Sequence, residues 1–276
     1  MCERRLAGLH TNGITMEDSN HRSAAVQRIQ DRLQAIAAAL AAREDALALL
    51  ALGSAGREIA RADEWSDLDF FVLVRDGAKA RYIDELSWLA GAHPLSWHFQ
   101  NTADGHKALM ADGMFCEFAV FELHELTDIP YAAGRFVWRR EEVPDTLATP
   151  VRRMPAPAGR QWLVGEALSD LLVGLQRHAR GERLAAMRMV QVHALDRVLE
   201  LLEQGSASTA VQRDPFSVDR RVEQRLPATA ANLTRWAPGY EGTCAAALAL
   251  LAAIEASVSV PEAMSSRIRA LAAARA

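Results

Sequence analysis

Lysine is almost missing from this chain: Lys79 and Lys107 are its only two, and every other basic residue is arginine. With the alanine-rich tracts this points to a GC-rich coding background, so neither alanine nor arginine abundance bears on function. Basic clusters are missing too. Lys and Arg total 31 against 35 Asp and Glu, and no stretch is long and basic enough to track a phosphate backbone, which argues against a nucleic-acid partner. Cysteine is scarce: Cys2, Cys116 and Cys244 are odd in number and form no CxxC, which excludes a structural zinc site of that kind and fits a reducing, cytoplasmic compartment. Long apolar runs are lacking. The most apolar stretch, residues 244–254, falls short of the roughly 20 residues of a membrane span, and residues 1–20 lack the apolar core of a signal peptide, so no membrane partner is expected. What is present is material for a sizeable core: 276 residues, 50% hydrophobic and 24% charged with net charge −4, enough for one or two domains and unlike a disordered tail.

Residues 1–22 read as a polar lead-in. From residue 23 to 43 the apolar positions Val26, Ile29, Leu33, Ile36 and Leu40 recur every three or four residues, the pattern of an amphipathic helix. The apolar run 46–52 stops abruptly at Gly53-Ser54 and reads as a buried strand. Residues 67–74 (DLDFFVLV) form a second strand, 79–90 a helix, and 95–99, 115–121 and 135–138 further strands, giving a mixed sheet with helices. Pro144, Pro150, Pro155 and Pro157 interrupt regular structure, and beyond them only helical patterns follow, broken at Arg180-Gly181 and by a polar stretch with Pro215 and Pro227. The expected architecture is an α/β (α+β) domain over residues 23–149 followed by an all-α helical bundle over 150–276.

Chemistry concentrates between residues 53 and 69. On a strand, residues two apart share a face, so Asp67 and Asp69 present two carboxylates side by side. Such a pair repels itself unless a cation sits between, and hard oxygen ligands suit Mg²⁺, which completes its shell with water and substrate phosphates. Gly53-Ser54 at a strand end supplies the complement: glycine admits a phosphate close to the backbone, serine adds a hydroxyl, and an ensuing helical turn offers N–H groups. Arg57 lies where it can reach back to a β- or γ-phosphate. Each short motif alone also occurs on capped turns and solvated edge strands. Together, in this order, they imply a nucleoside triphosphate.

This arrangement resembles the signature of the DNA polymerase β-like nucleotidyltransferase superfamily, Gly-Ser followed by Asp-x-Asp on the next strand. Gly53-Ser54-Ala55-Gly56-Arg57, then Ser66-Asp67-Leu68-Asp69-Phe70, is most similar to the antibiotic nucleotidyltransferases of the lincosamide type, whose helical C-terminal domain is matched by the segment from Arg180-Gly181-Glu182 to Leu202. The resemblance implies an enzyme that moves AMP from ATP to a hydroxyl of a small acceptor, a lincosamide or an aminoglycoside antibiotic. Asp67 and Asp69 would hold Mg²⁺, Gly53, Ser54 and Arg57 the triphosphate, and the helical half would wall the acceptor cleft; the resemblance leaves room for a homodimer. The superfamily adds a third carboxylate from a later strand, here Glu117, as base and metal ligand. Glu122 and Glu125 are its rivals, but alternation places Glu122 on the opposite face and Glu125 beyond the strand. The chain departs from its lincosamide relatives in having Asp-x-Asp in place of Asp-x-Glu and in lacking Lys-Gly-Glu after Arg57, departures that bear on the acceptor more than on the chemistry.

Other signals are weaker. His93 and His98 do not have the helical spacing of a zinc protease, no HExxH, P-loop or GxSxG is present, and Trp162, Trp236 and Tyr240 read as core anchors at helix starts more than as platforms for an adenine or a sugar-like acceptor. Two alternatives differ in acceptor or activity: modification of a protein hydroxyl, against which the long helical half argues, and a catalytically silent nucleotide-binding module, which would have no reason to keep three carboxylates.

Overall fold

The computed structural model describes residues 16–152, 156–206, 211 and 213–274. The chain divides between Met154 and Pro155 into two compact units. Arg152 is tied to the first unit, its Nη1 donating to the Asp128 carbonyl at 2.9 Å.

The first unit opens with α1 (Met16–Ala41), which begins earlier than the periodicity suggested. Of the expected lead-in, residues 1–15 lie outside those described and 16–22 form the first turns of α1. Ile29, Leu33, Ile36 and Leu40 are its buried stripe, as their spacing on a helix requires. A six-stranded sheet follows in the order β3-β4-β5-β2-β1-β6, from β1 (Ala46–Ala51), β2 (Leu68–Val74), β3 (Leu95–Gln100), β4 (Gly105–Met110), β5 (Phe115–Glu122) and β6 (Arg135–Arg139). Among the described residues only β2 and β5 pair in parallel; the other pairings are antiparallel. β1 is wholly apolar because it runs between β2 and β6 with all six residues buried.

Two differences from the expected elements have local causes. The helix expected over 79–90 is α2 (Lys79–Asp84) and α3 (Ser87–Ala92), because the Trp88 indole N–H donates to the Tyr82 carbonyl at 3.1 Å and Glu85 is extended. β4 had no counterpart among the expected strands: Gly-His-Lys-Ala-Leu-Met is a weak strand sequence, and pairing on both sides with β3 and β5 makes it one.

The sheet's two faces differ. One carries Leu68, Phe70, Val72, Cys116, Phe118 and Val120 into a core with α1, α2 and α3. The other is covered at one end, where Leu73 and Phe121 pack with Leu126, Tyr131, Val143 and Ala148. At the N-terminal ends of β2 and β5 that second cluster does not reach.

Among its described residues the second unit forms only helices: α4 (Arg160–Ala179), α5 (Arg183–Arg188), a π-helical turn over Met189–Ala194, α6 (Leu195–Glu203), the short α7 (Val222–Arg225), α8 (Pro227–Ala230) and α9 (Leu233–Trp236), then α10 (Thr243–Ser257) and α11 (Glu262–Ala273). Leu168, Leu171, Val190, Val198, Leu250, Leu251 and Ile254 are part of its core. The break at Arg180-Gly181 is real, with Gly181 at φ +85°. In the π-helical turn the buried Gln191 side chain donates to the Gly239 carbonyl at 2.8 Å and accepts from its N–H at 2.9 Å. Among the described residues no helix is long and apolar enough to cross a membrane.

Candidate active site

β1 ends where Gly53 takes φ +49°, a left-handed conformation that glycine adopts without strain. The chain then turns through a single 3₁₀ turn, Gly53–Ala55, in place of the helix start the sequence suggested. Gly56 closes the turn so tightly that a Cβ there would lie 2.4 Å from the Ala51 carbonyl oxygen. The N–H groups of Ala55 and Gly56 donate back to the Leu52 carbonyl at 3.0 and 2.8 Å, and that of Glu58 to Gly53 at 3.1 Å. The N–H groups of Gly53 and Ser54 precede these bonds, as the leading amides of such a turn do. Ser54 is buried at 4% exposure.

The turn abuts β2. Leu52 N–H donates to the Asp69 carbonyl at 2.8 Å, and a Cβ on Gly53 would stand 3.6 Å from Asp69 Oδ2. Asp67 lies one residue before the first residue of β2, Leu68. Asp69 and Glu117 are register partners on the parallel β2–β5 pair, so their Cα atoms lie about one strand spacing, roughly 4.8 Å, apart. Both are partly exposed, at the end of the sheet face the second cluster leaves open. Alternation hides their neighbours Leu68, Phe70, Cys116 and Phe118 on the other face. The Cys116 thiol beneath is pushed up to about 12, first by burial, with Asp69 and Asp67 adding their negative charges against the opposing Arg32. Cys116 is therefore an inert thiol.

The same row continues across the sheet as Asp69, Glu117, Lys107 and Phe99. Lys107 Nζ pairs with Glu117 Oε2 at 3.0 Å, and Asn101 Nδ2 donates to Glu117 Oε1 at 3.3 Å. Sequence reasoning missed both partners because β4 was not anticipated. An irregularity between Leu95 and Trp97 turns the edge strand β3 so that Leu95 packs on the covered core, while Trp97 and Phe99 stand 47% and 44% exposed with ring centroids 5.1 Å apart.

Arg57 is hydrogen-bonded to the segment around β6. Its Nε donates to the Gly134 carbonyl at 2.8 Å and its Nη2 to Thr149 Oγ1 at 3.2 Å, while Arg135 reaches the Ala55 carbonyl at 3.2 Å; the two arginines clip the Gly-Ser turn to the entry of β6. The rival carboxylates are also engaged. Glu122 Oε1 accepts from Gly77 N–H at 2.7 Å, and Glu125 accepts from Lys79 at 2.6 Å and from Glu122 N–H at 2.8 Å.

Mg²⁺ suits the donor set of Asp67, Asp69 and Glu117, since one or two carboxylates suffice when phosphates and water complete the shell. The three do not close into one compact ligand group. Among the described residues the group that does is Asp76, Glu122 and His124, with ligand atoms within 4.8 Å of one another. It lies at the far end of β5, with Asp76 85% and His124 69% exposed, and Glu122 is tied to Gly77.

No protein-family model matches the sequence, and no curated protein matches it at a significant level. Solved structures show a loose likeness. An aminoglycoside 6-adenyltransferase from Bacillus subtilis is 13% identical, covering 88% of this chain and 91% of its own, with a TM-score of 0.31. A nucleotidyltransferase-like protein from Exiguobacterium sibiricum 255-15 is also 13% identical, covering 87% and 78%, with a TM-score of 0.33. A complex of CdnC with HORMA-deltaN from E. coli MS115-1 is 14% identical, covering 92% and 91%, with a TM-score of 0.29. At these scores the likeness adds no weight to the site, which stands on its own register and turn.

Proposed function

We propose that this chain is a Mg²⁺-dependent nucleotidyltransferase that transfers AMP from ATP to a hydroxyl of a small molecule in the cytoplasm, with lincosamide and aminoglycoside antibiotics as the acceptors to test first. One observation carries the reading: Asp69 and Glu117 meet in register on the open end of a sheet face, next to the turn at Gly53. Asp67 and Asp69, with Glu117 beside them, would hold the metal, which when bound supplies positive charge to the α-phosphate and the leaving group. Gly53 and Ser54 would seat the triphosphate on one side of Asp69. The acceptor would enter from the other, along Glu117, Lys107 and the Trp97–Phe99 pair, whose faces suit a ring.

Glu117 is the proposed base. It takes the proton of the acceptor hydroxyl, the oxygen bonds to the α-phosphorus, the bond to the bridging oxygen breaks, and pyrophosphate leaves with the electron pair. Lys107 and Asn101 orient the carboxylate for this. The same ion pair favours the second reading, a silent nucleotide-binding module, because it occupies Glu117 in the absence of substrate.

Pyrophosphate release from Mg-ATP, measured with panels of lincosamides, aminoglycosides and other hydroxylated small molecules, separates the readings. Acceptor-dependent release supports transfer. Mg-ATP binding without release for any acceptor supports the silent module, and failure to bind Mg-ATP overturns both.

A further inference from the structure

We propose that Arg61, in place of Arg57, is the guanidinium that meets the β- and γ-phosphates of the nucleotide; the proposal rests on the nucleotidyl-transfer reading and deepens it. The loop from Gly53 folds back on itself, with Glu58 N–H on the Gly53 carbonyl at 3.1 Å and Arg61 N–H on the Glu58 carbonyl at 2.9 Å. That return brings Arg61 beside the glycine eight positions earlier in the chain. A Cβ built on Gly53 would stand 3.5 Å from Arg61 Nη2 and 3.6 Å from Asp69 Oδ2, so a cation and a proposed metal-holding carboxylate both border the bare Cα of Gly53.

The guanidinium divides its work. Its Nε is paired with the Glu58 carboxylate, while Nη2 is the nitrogen turned to Gly53. Arg61 and Glu58 are about one-third exposed and three residues apart, the kind of surface ion pair that contributes little to stability. A multiply charged phosphate can therefore share or displace Glu58 at small cost, and the planar fork offers donors to both. Arg57, by contrast, would have to leave Gly134 and Thr149, opening the clip on the turn itself.

Position along the row assigns the phosphates. The α-phosphorus must lie where Glu117 reaches an attacking hydroxyl, and Arg61 lies at Gly53, on the opposite side of Asp69 from Glu117. The phosphates on that side are those of the leaving pyrophosphate.

The test measures binding of Mg-ATP, magnesium pyrophosphate and AMP to the full chain by calorimetry without acceptor. Arg61→Ala should weaken ATP and pyrophosphate about 10- to 100-fold, the value of a lost charge-assisted hydrogen bond, and leave AMP within about twofold and the melting temperature unchanged. Arg61→Lys should recover part of the loss, since it restores the charge without the fork. Glu58→Gln should bind ATP more tightly than wild type, because it releases Arg61 and removes a nearby negative charge; a purely structural Arg61–Glu58 pair would show no such opposition of sign. ATP affinity within twofold of wild type in Arg61→Ala, an equal loss for AMP, or a loss confined to Arg57→Ala overturns the proposal. Wild-type protein that binds ATP while Arg61→Ala binds it equally well leaves the transfer reading standing, whereas wild-type protein that binds no Mg-ATP removes that reading itself.

Discussion

The two ends of the β2–β5 pair use their carboxylates in opposite ways. At the far end the strands lie under an aromatic cluster, Phe71 against Phe121 at 4.9 Å and against Tyr131 at 5.6 Å, and the Tyr131 hydroxyl bonds the Leu147 carbonyl. There Glu122 and Glu125 satisfy backbone N–H groups and one of the chain's two lysines. At the near end nothing in that cluster covers the face, and Asp69 and Glu117 sit side by side next to the Gly53 turn. Like charges on adjacent strands are unfavourable in a purely structural role. Here the Glu117 carboxylate is balanced by Lys107, and Asp69 adjoins the Gly53 turn.

The largest expected effect tests that contrast at the open end. Asp69→Asn, and likewise Asp67→Asn, should abolish transfer while the melting temperature moves by only a few degrees, about what an exposed polar change causes. Mg²⁺-dependent transfer within tenfold of wild type in both variants would refute the metal assignment.

Glu117→Gln comes next. It should lower kcat by about 10²- to 10⁴-fold, the usual contribution of a positioned base, with Mg-ATP affinity changing less. Near-normal kcat would remove Glu117 as the base and make Glu122 or Glu125 the next carboxylate to test.

The covered end should answer differently. Glu125→Ala removes the acceptor for Glu122 N–H and one of the two carboxylates on Lys79, so the protein should lose about 1–2 kcal/mol of stability in denaturant titrations with nucleotide affinity unchanged. Unaltered stability with weakened nucleotide binding would reverse the roles given to the two ends.

The smallest effect concerns the row behind the open one. His106 is buried, its ring stacked on Phe118 at 5.7 Å, and Phe118 is stacked on Phe70 at 5.2 Å. Burial holds its pKa below the usual histidine value near 6.5, against smaller raising influences from Ile83 and Asp84. Between the two values the unfolded chain binds a proton that the folded chain does not, so stability falls as pH drops below about 6.5. His106→Phe keeps the stack and removes the titration. Its stability should depend less on pH between about 7 and 5, and an acid slope equal to that of wild type would place the source elsewhere.

Much of this contrast is legible in the residues, but unevenly. The buried stripe of α1, the all-apolar β1 ending at Gly53, and the alternation that puts Asp69 and Glu117 on one face and Glu122 on the other are written in neighbouring positions, because helix and strand periods act over a few residues. The 79–90 segment misled because its break depends on the Trp88 indole taking the Tyr82 carbonyl, a contact that no local pattern encodes. β4 stayed hidden because His106 and Lys107 are poor strand residues, held in place only by two flanking partners.

By itself, then, the sequence determined the order and facing of the chemical groups: a glycine turn, paired aspartates heading an apolar strand, a later glutamate of matching parity, and helices beyond the prolines. The tertiary structure alone decided which of those groups meet. Asp69 stands beside Glu117 because the segment between β2 and β5 returns the chain to a parallel register, a choice made by burying Phe70 against Phe118 and Trp88 on the far face. Arg61 rather than Arg57 borders Gly53, because the loop folds back on its own backbone bonds and leaves Arg57 to brace β6. Periodicity is a local property of the chain; pairing, register and loop closure are settled by burial summed over the whole unit.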